Sequence, residues 1–122
     1  MRNVIIIDDS LVVRKIVEVA LRRVGITCVS YQDGIEALLA LKAQEQLPDL
    51  IFLDINLPRI DGFDVLRLFK TSPQFDRTPI FVISARDGVL DRLKCRLAGA
   101  RGYITKPFTV QKLLEAVDRR QV

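Results

Sequence analysis

The chain has 122 residues, 49% apolar and 28% charged, a globular balance with enough length to bury a core without disulfide or metal staples. Lys and Arg number 19 against 15 Asp and Glu, a net +4, but the cations are scattered from Arg2 to Arg120 among the acids, as solvated charge is, and form no nucleic-acid stripe. With no histidine, Ser-His-Asp and Cys-His triads and histidine metal sites are excluded, and the two distant cysteines, Cys28 and Cys95, read as reduced and structural.

Short apolar runs alternate with longer segments of helical period, a βαβ rhythm that predicts five strands and five helices in a single domain, 1–122. The first strand, 4–7 (VIII), runs straight into Asp8-Asp9-Ser10. It is too short for a signal segment or a membrane span, so a cytoplasmic protein with no membrane insertion is expected. Two carboxylates about 4 Å apart repel by roughly 4 kcal/mol at an effective dielectric near 20, and the acid pair therefore calls for a positive partner. Ser10 or Asp9 caps the first helix and Gly25 ends it. Val13, Ile16, Val17, Ala20, Leu21 and Val24 form its buried stripe, leaving Arg14, Lys15, Glu18, Arg22 and Arg23 largely outside. Strands follow at 27–31 (TCVSY) and 50–55 (LIFLDI), a third helix after Asp61, strands at 79–84 (PIFVIS) and 102–105 (GYIT), and a fifth helix after Thr109.

The first, third and fourth strands are continuous apolar runs, as parallel strands covered on both faces are, while the second and fifth are not. With right-handed crossovers the simplest sheet has the order 2-1-3-4-5, a doubly wound α/β fold of flavodoxin-like (βα)5 type. Such sheets bind ligands beyond the carboxyl ends of their strands. Those ends deliver Asp8 and Asp9, Asp54, Ser84 and Lys106. Three carboxylates against one ammonium leave a deficit of about two positive charges, which a divalent cation with a taste for oxygen, Mg²⁺, would neutralise. The plainer reading makes Asp9 a helix cap and nothing more. A flavin site would want Ser, Thr and Gly with free N–H donors where this chain has DDSLVVRK. A metal-dependent phosphatase with an aspartate nucleophile would want Asp-x-Asp where the acids here are adjacent.

The acid pair Asp8-Asp9, Asp54 followed by Leu57-Pro58 and Asp61-Gly62, Ser84-Ala85, and Tyr103 through Lys106-Pro107-Phe108 together resemble the receiver domains of two-component response regulators, the CheY-like proteins, over essentially the whole chain. The resemblance implies that Asp54 is the phosphoacceptor, that Asp9, Asp54 and the main-chain carbonyl of Asn56 bind Mg²⁺ directly, and that Asp8 acts mainly through water. It implies that Lys106 pairs with the phosphoryl group, that Lys106-Pro107 is a cis peptide, and that Ser84 is a switch hydroxyl whose movement lets Tyr103 turn inward. The donor would be a phosphohistidine on a sensor histidine kinase or phosphotransfer protein, and the remodelled surface of the fourth helix, fifth strand and fifth helix would address a downstream protein effector. A receiver-like scaffold that is never phosphorylated is the alternative. Receivers joined to winged-helix transcription factors often carry two acids before the aromatic, where this chain has Arg101-Gly102, so neither their salt-bridged dimer nor direct DNA binding is expected. Arg92, Lys94, Arg96, Arg101 and Lys112 predict a basic output face suited to an acidic protein. PRIDGFDVLRLFK, SARDG and GYITKPFTVQKLL also resemble stand-alone receivers of chemotaxis-like systems controlling pilus or surface motility.

Overall fold

The computed structural model describes residues 3–57 and 61–119; Pro58 of the loop motif and the outlying Arg2 and Arg120 lie outside the described residues. Strands and helices alternate as β1 (Asn3–Ile7), α1 (Leu11–Arg22), β2 (Thr27–Tyr31), α2 (Gly34–Lys42), β3 (Leu50–Asp54), α3 (Gly62–Thr71), β4 (Ile80–Ser84), α4 (Val89–Leu97), β5 (Gly102–Thr105) and α5 (Val110–Arg119). All strand pairs are parallel and the order is β2-β1-β3-β4-β5, as the apolar runs predict. Strand limits differ from the expected ones by a residue at most: β4 starts at Ile80 because Pro79 has no N–H for the ladder, although its carbonyl accepts from Ile51 N at 3.0 Å.

The sheet separates two cores by the period of two along each strand. Ile5, Ile7, Leu53 and Val82 face α2, α3 and α4, meeting Leu38, Leu66, Phe69 and Cys95. Val4, Ile6, Phe52 and Ile83 face α1 and α5, meeting Val17, Leu21, Leu113 and Val117. Edge-on aromatic pairs, Phe69 with Phe75 at 5.1 Å and Phe52 with Phe81 at 6.2 Å, fill one core each. Each such fully buried side chain contributes roughly 1.5–3 kcal/mol. Every residue of β3 and β4 is buried, whereas β2 and β5 are partly exposed, as edge strands are.

Caps fix where the helices begin. Ser10 Oγ accepts from Val13 N, Asp61 Oδ1 from Phe63 N at 2.8 Å, and Thr109 Oγ1 from Lys112 N at 3.1 Å. Gly25, at φ +80°, turns the chain out of α1 while Ile26 N reaches back to Leu21 O at 2.9 Å.

The buried line of α1 is narrower than its apolar pattern predicts. Val17, Ala20 and Leu21 are buried, but Ile16 is 45% and Val24 51% exposed. Their flank turns toward α5, where with Val110 and Leu114 they line a shallow apolar groove. The opposite flank draws in Arg14 and Glu18, both expected outside. Arg14 Nη1 donates to the Asp8 carbonyl at 2.8 Å, and a hydrogen bond with Ser30 on β2 holds the Glu18 carboxyl below its usual pKa. Among the described residues no helix is long and apolar enough to cross a membrane.

Candidate functional site

The parallel register lines up the strand ends. Ile7 pairs with Leu53, Asp54 with Ile83, and Ser84 with Thr105, so the residues at or just past these pairs share one rim of the sheet. There Asp8 and Asp54 are 0% and 2% exposed, while Asp9 is open to solvent. One carboxylate oxygen from each of the three lies within 4.8 Å of the others.

Lys106 reaches into this cluster from beyond β5, its Nζ 2.8 Å from Asp8 Oδ2 and 3.2 Å from Asp54 Oδ2. The remaining oxygens are held by main-chain donors: Ser10 N to Asp8 Oδ1 at 2.8 Å and Asn56 N to Asp54 Oδ1 at 2.9 Å. The approach of Lys106 to Asp8 lies outside hydrogen-bond geometry, leaving the buried Asp8 Oδ2 with charge pairing but no hydrogen bond. Burial pushes the Asp54 carboxyl pKa up, and the Asp8 charge adds to it, against the opposing pull of Asn56 N–H and Lys106. Burial alone would lower Lys106, but contact with Asp8 and the charges of Asp54 and Asp8 outweigh it and raise its pKa. Three carboxylates to one ammonium, with one buried oxygen lacking a hydrogen bond and one acid facing water, is a donor set that fits a hard divalent cation such as Mg²⁺.

The other expected residues surround the cluster. Asn56 follows Asp54 by two residues and its side-chain amide donates to Ser84 Oγ at 3.3 Å. Ser84 is fully buried, and its Oγ also accepts from Arg86 N at 3.0 Å. The Lys106-Pro107 peptide is cis, and Lys106 N donates to Ser84 O at 2.7 Å. Tyr103 is half-buried against the core, its hydroxyl donating to the Arg86 carbonyl at 2.7 Å, and burial pushes its pKa up.

Gly62 sets the loop after Asp54. A Cβ there would sit 2.2 Å from the Ile55 carbonyl oxygen, and Gly62 N donates to that same oxygen at 3.1 Å. Only glycine allows this approach, which keeps Asp54 and Asn56 in register with the cluster.

Of the five cations expected on the output face, Arg92, Arg96 and Arg101 line a groove with Tyr103 between α4 and β5, Lys112 is exposed on α5, and Lys94 lies 3.9 Å over the Phe63 ring, toward α3. The electron-rich π face of Phe63 offers Lys94 a cation–π contact that charge counting along the sequence does not register. Sequence reasoning also missed Asp87 and Thr105, which join Arg92 beside Tyr103; their contact spans 18 residues and leaves no local signal.

The family model for the response regulator receiver domain matches residues 4–118. The chain belongs to this family. Protein PilG of Pseudomonas aeruginosa is 39% identical over 115 residues, 94% of this receiver and 84% of PilG. Several other curated relatives are longer, and the receiver spans about half of their length. Among solved structures, the chemotaxis response regulator CheY4 of Vibrio cholerae superposes with a TM-score of 0.89 at 31% identity, covering 98% of both chains. The receiver domain of the sensor histidine kinase PA1611 of Pseudomonas aeruginosa, solved with a magnesium ion coordinated in its active-site cleft, gives 0.85 at 29% identity, covering 97% of this receiver and 95% of that chain. This is a CheY-like receiver of two-component signalling with the sheet order and strand-end acids that its sequence predicts.

Proposed function

We infer that this receiver, 1–122 acting as one unit in the cytoplasm, is a phosphorylation-dependent switch whose acceptor is Asp54. The observation that carries this reading is the meeting of Asp8, Asp9 and Asp54 within 4.8 Å at the strand ends, with Lys106 paired to two of them. Asp8, Asp9, Asp54 and the main-chain carbonyl of Asn56 would hold Mg²⁺, which when bound supplies positive charge for phosphoryl oxygens. The magnesium-bound cleft of the PA1611 receiver supports this choice of ion.

The Asp54 carboxylate attacks phosphorus, the P–N bond of a partner's phosphohistidine breaks, and the imidazole nitrogen keeps the electron pair. The donor histidine belongs to a sensor kinase or phosphotransfer protein, since these 122 residues contain none. Lys106 offsets charge on the incoming oxygens, and its place just past β5, paired with Asp8 and Asp54, supplies positioning in place of acid–base help. Later, water attacks the same phosphorus, the bond to Asp54 breaks, and inorganic phosphate leaves, so the receiver catalyses only its own loading and unloading. Ser84 Oγ is drawn to the phosphoryl oxygens while Tyr103 fills the space behind it, changing the α4–β5–α5 surface. The groove with Arg92, Arg96 and Arg101 suits an acidic effector protein. Likeness to a chemotaxis response regulator supports a chemotaxis-like pathway.

The test is to incubate the protein with acetyl phosphate or a phosphoramidate, with and without Mg²⁺, and to weigh it. One phosphoryl mass is expected, lost with EDTA and lost in Asp54→Asn. Label persisting on the variant at another carboxylate overturns the assignment.

A further inference from the structure

Between the site and the basic groove, one arginine touches three elements at once. Arg92, in the first turn of α4, donates through Nε to Asp87 Oδ1 at 2.9 Å and forms an ion pair with the same oxygen through Nη2. That Nη2 also donates to Thr105 Oγ1 on β5 at 3.1 Å, and Thr105 Oγ1 donates in turn to Asp87 Oδ1 at 3.2 Å. The guanidinium carbon lies 4.9 Å from the centroid of the Tyr103 ring. The ring is thus covered on one face by Arg92, while its hydroxyl is tied to the Arg86 carbonyl at 2.7 Å on the β4–α4 loop. Arg86 is anchored as well, to Asp91 at 3.4 Å.

We propose that Arg92 is a clamp that holds Tyr103 in this docked position, and so is a positioning residue for the switch and more than one cation among several on the output face. Three features favour a clamp over an ordinary solvated ion pair. The planar fork puts two nitrogens on one carboxylate oxygen, a geometry lysine cannot copy. The same guanidinium lies over the aromatic ring within cation–π range, so fixing the fork also fixes the cover. Thr105 closes the triangle from β5, the strand that carries Tyr103, so the loop after β4, the start of α4 and β5 are bound together at one point. A residue that stabilises only the docked ring tightens, by linkage, the binding of whatever else favours that state. Resting on the switch reading above, and taking this docked ring, packed against the core with its hydroxyl on the Arg86 carbonyl, as the inward position that a phosphoryl group favours, the clamp raises the affinity of the acid site for a phosphoryl group although Arg92 never touches it.

The test uses the full chain with Mg²⁺ and beryllofluoride as the phosphoryl mimic, read by NMR on the Tyr103 ring and amide. Arg92→Ala is expected to average the Tyr103 ring signals toward those of a mobile side chain. It should also weaken beryllofluoride affinity about three- to tenfold, the size that one exposed cation–π contact and one exposed ion pair together give. Mg²⁺ affinity without beryllofluoride should not change. Thr105→Val, which keeps shape and removes the hydroxyl, should shift both readouts in the same sense and by less. Arg92→Lys should restore only part of the loss, and full restoration would overturn the planar-fork geometry. Unchanged ring signals and affinity in Arg92→Ala overturn the clamp. A parent protein that ignores beryllofluoride overturns the phosphoacceptor reading instead, and the ring signals of Arg92→Ala against the parent then decide the clamp alone.

Discussion

Lys106 Nζ stands 2.8 Å from Asp8 Oδ2, on a residue that has no exposed surface at all. The ammonium is the only described side-chain cation in ion-pair range of either buried acid, and it serves both Asp8 and Asp54. Lys106→Ala leaves two buried carboxylates facing each other, and a loss of stability toward the low end of about 3–5 kcal/mol is expected in metal-free buffer because Lys106 itself keeps some solvent contact. Added Mg²⁺ should return part of it. Urea melts with and without metal measure both effects.

The same repulsion predicts how metal acts on the parent. Asp54 is disfavoured in its ionised form first by burial and then by Asp8, so Mg²⁺ should raise the melting temperature. A cation at a hundred times its Kd adds about 2.7 kcal/mol. Asp9→Asn should shrink that gain at modest metal concentrations. A thermal scan showing an undiminished gain would remove Asp9 from the ligand set.

Ser84→Ala separates chemistry from response. The variant should still gain a phosphoryl mass on Asp54, since Ser84 Oγ bonds to Arg86 N and Asn56 and to neither carboxylate. Beryllofluoride should then leave Tyr103 unmoved. NMR shifts around Tyr103 equal to those of the parent would withdraw the switch role of Ser84 and leave Asp54 untouched.

Gly62→Ala drives a Cβ against the Ile55 backbone at 2.2 Å, where no flexible side chain can give way. A loss of about 1–3 kcal/mol is expected, the range for overpacking. Because the loop must shift, Mg²⁺ affinity should fall with it. Stability lost at full Mg²⁺ affinity would show that the loop after Asp54 is free of the site.

Alkali should unfold the protein through its two thiols, Cys95 buried and Cys28 half-buried. Burial pushes Cys28 up to about 12 and Cys95 up to about 11, and raises Tyr103 above its ordinary 10.0. A raised native pKa means that the unfolded chain gives up its proton first. The contribution is whole below the ordinary thiol value of 9.0 and is lost as pH climbs through 11 and 12. Denaturant midpoints should therefore fall steadily above about pH 9, and alkylation of both thiols near pH 8 should be slow until the chain is unfolded.

The sheet was legible because its signals are local. Four apolar residues ending in Asp8, a fully apolar run ending in Asp54, and a run ending in Ser84 each announce a buried strand and its terminal group together, and parallel register then brings the ends to one rim. The flanks of α1 were not legible. Ile16 and Glu18 exchange places relative to the apolar pattern because α5 and Ser30, both distant in sequence, decide which flank is covered. Lys94 was drawn away from the basic groove by Phe63, and Arg92 was tied to Tyr103 through Asp87 and Thr105. Such pairings arise only once the backbone has set neighbours side by side.

The 2.7 Å bond from the Lys106 amide to the Ser84 carbonyl joins two residues whose side chains are occupied elsewhere, one with acids and one with an amide and a loop. If the end of β4 shifts in the proposed switch, the root of the lysine, just past β5, must travel with it or lose that main-chain bond. On the proposed switch, a displacement of Ser84 would thus be handed on to the root of Lys106, and a substitution that loosens this main-chain bond should disturb both at once.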